Sequence, residues 1–162
     1  MIVVSNASPL ISLAKIKHLD ILEKLFLSIH IATEVFEEAA STGPGAAEIA
    51  AADWISTVEL ATPSRLQEWR SQLNLGKGEL ATILLAKELS ADLAIIDEKK
   101  ARALAQENRL AVVGSIGILE EAYRRHHISN LRTCYQKLLA TGTYIAPRLL
   151  DASLESFGLE IL

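Results

Sequence analysis

Three short apolar runs rich in β-branched residues constrain this chain most: Ile2-Val3-Val4, Leu93-Ala94-Ile95-Ile96 and Ala111-Val112-Val113. Each is closed by residues that do not extend it, namely Ser5-Asn6, Asp97 and Gly114. A run without polar alternation suits a strand covered on both faces, and such strands belong to parallel sheets with helical crossovers. The intervening sequence supplies the helices. Ser8-Pro9 can cap a segment in which Leu10, Leu13 and Ala14 recur at helical spacing, and Ile21, Leu22, Leu25 and Phe26 continue the pattern. Ile29-His30-Ile31 and Trp54 to Val58 read as further brief strands. Between them, Val35, Phe36, Ala39 and Ala40 make one apolar helix face opened by Thr33, with Glu34, Glu37 and Glu38 beside it.

Ser41-Thr42-Gly43-Pro44-Gly45 is the clearest break, followed by an Ala-rich helix to about Asp53. A helix is predicted from Pro63 to near Asn74, a longer one from Gly76-Lys77-Gly78 to Leu89, and another from Lys99 to Asn108. The last third reads as helical, with Ser129 and Pro147 as starts. The pattern predicts an α/β fold, with a mainly parallel central sheet covered on both faces. One domain spanning 1–162 is expected, with its core over about 1–117 and a helical part over about 118–162.

Composition narrows the functional classes. With 16 Lys+Arg against 20 Asp+Glu, the formal charge is −4, so no general basic coat is available and a nucleic-acid partner would need a local basic patch. The single Cys134 excludes an intramolecular disulfide framework and a Cys-based zinc site, and suits a reducing compartment. No apolar run approaches the roughly 18 residues that span a bilayer, and no basic n-region precedes the first strand. A cytoplasmic protein without a membrane partner is expected.

In open α/β sheets ligands gather outside the carboxyl ends of the strands, which here places Asn6 and Asp97 in view. Glu79 near a helix start and Glu38 on an earlier helix could face the same crevice. Together they form an oxygen-rich set suited to a hard divalent ion. The structural alternatives are that Glu38 and Glu79 are solvated helix residues and that Asp97 caps the helix that follows it.

Val3-Val4-Ser5-Asn6-Ala7-Ser8-Pro9-Leu10-Ile11, then Leu75-Gly76-Lys77-Gly78-Glu79, then Ile95-Ile96-Asp97-Glu98-Lys99-Lys100-Ala101-Arg102 occur in an order that resembles PIN-domain proteins. The nearest branch is the VapC-like toxin group, whose first motif reads S-D/N-x-S-P-L. The resemblance runs from Ile2 to about Gly117 and more loosely beyond. It implies a three-layer α/β/α, Rossmann-like fold and Mg²⁺- or Mn²⁺-dependent cleavage of single-stranded RNA. It also implies a homodimer and a small antitoxin protein as partner. By motif it assigns the catalytic and metal positions to Asn6, Glu38, Glu79 and Asp97, with Glu37 the neighbouring alternative to Glu38. Asn6 departs from the usual Asp: a carboxamide keeps an oxygen ligand and removes one negative charge. A scaffold that binds RNA or a protein without cutting is therefore the second reading.

Lys99, Lys100 and Arg102 lie just beyond the crevice and could hold an RNA backbone, or form a solvated helix face. Glu98 could add an outer ligand or stand as a first-turn acid, and Ser8 could bond a water of the site or cap its helix. Gly76-Lys77-Gly78-Glu79 lacks the spacing and hydroxyl of a phosphate-binding loop. His126-His127 are adjacent and would point to different faces of a helix, so they make a poor metal pair. Arg124-Arg125 reads as a solvated helix end, and the isolated Trp54 and Trp69 as packing residues.

Overall fold

The computed structural model describes residues 1–143 and 145–162. Its elements run β1 (Val3–Ser5), α1 (Ala7–Lys15), α2 (Ile21–Phe26), β2 (Ile29–Ala32), α3 (Thr33–Ala40), α4 (Ala46–Ala51), β3 (Ile55–Val58) and α5 (Pro63–Gln72). The chain continues through α6 (Lys77–Glu88), β4 (Leu93–Ile95), α7 (Lys99–Glu107), β5 (Val112–Val113), α8 (Ser115–Arg124), α9 (Leu131–Ala140) and α10 (Pro147–Ser156). The strands form one parallel sheet in the order β3-β2-β1-β4-β5. Helices flank it in the expected three-layer α/β/α arrangement.

β1 is the central strand, and Val3, Val4 and Ser5 are fully buried. Its register with β4 sets Val3 opposite Leu93 and Ser5 opposite Ile95. The chain builds outward from β1 through β2 to β3, then returns to the other side of β1 for β4 and β5. The strand order thus reverses between β1 and β4, where a crevice opens at the carboxyl ends of a doubly wound sheet. α6 lies against β1, β2 and β4. Leu80 to Ala86 are all buried, as befits a helix covered nearly all round. The Thr82 hydroxyl within that stretch donates to the Gly78 carbonyl at 2.8 Å, so its burial leaves no orphan.

Several sequence boundaries move for identifiable reasons. The first strand begins at Val3, because the Ile2 N–H turns away to the Asp92 carboxylate at 2.6 Å. α9 is capped by Asn130, whose side-chain oxygen accepts the Thr133 N–H at 2.9 Å, so Ser129 is not its start. An earlier helix, α8, starts at Ser115, directly after the third apolar run. The C-terminal helices are tied to it by a polar chain: the Tyr135 hydroxyl lies 2.6 Å from that of Ser153, which donates to Glu120 at 2.7 Å. Burial pushes the Tyr135 hydroxyl up to about 12, so it stays protonated across the ordinary pH range.

The 41–45 breaker is a loop ending at Gly45, whose φ of +80° suits glycine. A β-carbon there would also collide with the Ala14 methyl. Gly45→Ala is expected to lose about 1–3 kcal/mol of stability, seen as a lower urea midpoint with an unchanged m-value. Gly43→Ala, with open space around it, should lose less.

Candidate metal and RNA site

The four oxygen-bearing positions are supplied by four different elements around the β1/β4 crevice. Asn6 follows β1, and its N–H donates to the Ile95 carbonyl at 3.0 Å, which fixes it beside the end of β4. Its side chain is 4% exposed, and Oδ1 is buried without a hydrogen-bond partner. Such an orphan is costly unless something else binds it.

Glu38 comes from α3 and approaches the same place. A β-carbon added to Gly78, in the first turn of α6, would lie 2.5 Å from Glu38 Oε2 and 3.5 Å from Asn6 Oδ1. Glycine at 78 therefore leaves the cradle into which both oxygens project. Glu37 points elsewhere, with its carboxylate 4.0 Å from Lys77 Nζ on the exposed surface. Partial desolvation, followed by the charge of Glu79, raises the Glu38 pKa above the usual carboxylate value. Glu79 itself turns back over the start of α6, where Oε2 accepts the Gly76 N–H at 3.1 Å.

Asp97 is held from the opposite side. Ser115, fully buried at the start of α8, donates its N–H to Asp97 Oδ1 at 2.6 Å and its hydroxyl to Oδ2 at 2.7 Å. Asp97 does not cap α7. That role belongs to Glu98, whose Oε2 accepts the Ala101 N–H at 2.7 Å. This corrects the cap reading of Asp97 and gives Glu98 a structural task. Ser8 does not cap either, since α1 begins one residue earlier at Ala7; Ser8 is exposed and lines the cavity described next.

A cavity of about 770 Å³ opens from Glu38 and Asp97 toward α8 and the segment before α10. Arg102 and Lys15 line it, whereas Lys99 and Lys100 stand exposed outside it. A β-carbon on Gly114 would fall 2.9 Å from Asp97 Oδ1 and 3.1 Å from an Arg102 guanidinium nitrogen, so glycine there lets both groups approach. Ser115, Gly78 and Lys15 escaped the sequence reading. A polar residue two positions beyond a strand end was the available signal for Ser115, while nothing local distinguishes Lys15.

Among the described residues no three His, Cys, Asp or Glu side chains converge closely enough to form a ready-made cage. The donor chemistry nevertheless fits a divalent cation. An orphaned carboxamide oxygen and the Glu38 carboxylate meet at a glycine cradle, the charge of Glu79 acts on Glu38 from the start of α6, and Asp97 retains lone pairs beyond those used by Ser115. A protein-family model for the PIN domain matches residues 2–159. The chain belongs to the PIN-domain family. No curated protein matches it. PIN domains as a class are generally metal-dependent nucleases.

Gly78→Ala separates the cradle from the fold. Alanine favours a helix by about 1 kcal/mol over glycine, and the obstructing atom is the end of a flexible Glu38 side chain. The expected result is a melting temperature equal to or above native, with the Mn²⁺-dependent rise in that temperature reduced or lost.

Proposed function

We propose that this PIN domain is a Mg²⁺- or Mn²⁺-dependent endoribonuclease that hydrolyses phosphodiester bonds in single-stranded RNA, and that it acts as the toxin of a toxin–antitoxin pair. The observation that carries the reading is the buried, unpartnered Asn6 Oδ1 facing Glu38 across the Gly78 cradle. Asn6, Glu38, Glu79 and Asp97 would hold the cation. When bound, it supplies charge neutralisation at the scissile phosphate and a water acidified enough to attack it. The protein's part is positioning. Ser115 fixes both Asp97 oxygens, the β1/β4 register fixes Asn6, and Arg102 offers a guanidinium to the phosphate on the Asp97 side. Glu38 must be ionised to serve as a ligand, which its raised pKa opposes until a cation arrives. A homodimer in the cytoplasm and a small antitoxin protein complete the proposal, and Lys99 and Lys100 stand ready to meet RNA backbone outside the cavity.

Asn6 supports a second reading, in which the same scaffold binds RNA or a protein without cutting. Cleavage of a mixed single-stranded RNA panel with Mg²⁺, Mn²⁺ or EDTA separates the two. Native cutting that needs metal and falls at least a hundredfold in Asp97→Ala supports the nuclease. Cutting only by Asn6→Asp identifies a disarmed one, and absence of cutting in all three proteins sinks the nuclease reading.

The pH dependence has a definite sign. Because the folded pKa of Glu38 is raised, the folded chain binds more protons than the unfolded one just above the ordinary carboxylate value, and stability declines as pH rises through that window. Without metal, Glu38→Gln should stabilise neutral protein by up to about 0.5 kcal/mol, the range for partly exposed charges. It should also remove most Mn²⁺ stabilisation, and native Mn²⁺ affinity should fall as pH drops through the raised value. Calorimetry at several pH values with and without Mn²⁺ checks all three outcomes.

A further inference from the structure

The cavity beside Glu38 and Asp97 is larger than a cation needs. Six waters at about 30 Å³ each occupy roughly 200 Å³, against the cavity's 770 Å³. The excess lies on one side only, toward α8 and the segment leading into α10, since Asn6 and Glu79 do not line it. Its volume falls within the roughly 300–1,000 Å³ of pockets that bury a small organic ligand.

The lining combines two chemistries. Lys15, at the last turn of α1, and Arg102, on α7, supply cations, and neither is engaged in an ion pair among the described residues. Ile116, Ile145 and Leu149 supply an apolar wall. Leu149 is 51% exposed, one of only a few large apolar side chains so open among the described residues. Cations beside an apolar slot match a nucleotide: an anionic phosphate at one end, a flat and weakly polar base at the other. Among the described residues the wall is aliphatic, and Ile116, Ile145 and Leu149 would meet a base by shape and apolar contact.

We infer that this cavity seats one nucleotide flanking the scissile phosphate, with Lys15 and Arg102 on its phosphates and its base against Ile116, Ile145 and Leu149, making the Leu149 wall a determinant of base preference. The inference rests on the reading of the crevice as an RNA-cleaving site, and its test does not depend on cleavage. Fluorescence anisotropy of 5′-fluorescein-labelled hexaribonucleotides of A, C or U, in Ca²⁺ and over a range of salt, measures the seat directly. Lys15→Gln and Arg102→Gln should each weaken binding about tenfold and make the salt dependence shallower by about 0.7, the value for one phosphate contact on a single strand. Leu149→Ala should narrow the affinity spread among the three oligomers. Leu149→Glu should weaken all of them at least tenfold by placing a carboxylate in the base seat. Arg70→Gln, on exposed α5, controls for general charge, and melting temperatures confirm that each variant is folded.

Native protein that binds none of the oligomers overturns the inference, as do cavity variants that lose no more than Arg70→Gln. If native protein cuts RNA while the cavity variants bind normally, the nuclease reading stands and the seat falls. If the binding pattern holds while Mn²⁺ neither stabilises the protein nor supports cutting, the seat stands and catalysis falls.

Discussion

The pairing of β1 with β4 positions everything that follows. Because the strand order reverses between them, the carboxyl ends of these two neighbours meet no crossover helix, and the residues just beyond are left facing a crevice. The register Ser5 with Ile95, continued by the Asn6 N–H to the Ile95 carbonyl, leaves no freedom to slide Asn6 relative to the start of the Asp97 loop. The helices add donors to that fixed pair: Glu38 from α3 and Glu79 from α6, whose first turn must be glycine at 78 for the first of them to come close.

The electrostatics of the crevice follow from those placements. A folded chain with net charge −4 gathers carboxylates at one mouth, and Glu38 there is pushed toward its neutral form by partial burial first and by the charge of Glu79 second. Fixed negative charge and an orphaned oxygen are tolerated because the remaining core is large. β1 is wholly buried, α6 is enclosed along most of its length, and the buried hydroxyls of Ser5 and Thr82 both find carbonyls. Local strain of this kind is characteristic of sites kept for a function other than stability.

The fold was legible because unbroken apolar runs have few physical solutions. Val3-Val4, Leu93 to Ile95 and Val112-Val113 are strands of one parallel sheet, and the helix starting at Gly76-Lys77-Gly78 packs where its apolar breadth implies. The candidate site was legible in the residues that follow strand ends. What sequence could not reveal was set by tertiary geometry. Glu37 and Glu38 are equal as letters and are told apart only by the rotation of α3, which sends one toward Lys77 and the other into the Gly78 cradle. Asp97 and Glu98 could each cap α7, and the choice is decided by Ser115, eighteen residues later, which claims Asp97. Lys15 reaches the cavity only because α1 ends beside it.

Asp97 has one further dependency. Both of its oxygens are held by the first residue of α8, and α8 is in turn joined through Glu120 and Ser153 to α10 and to Tyr135 on α9. The carboxylate that belongs by sequence to the central sheet is thus oriented by the last third of the chain. Local opening of α8 would free the Asp97 oxygens while leaving β1 and its neighbours paired, so the geometry of the crevice depends on a helix that the end of the chain helps to tie down.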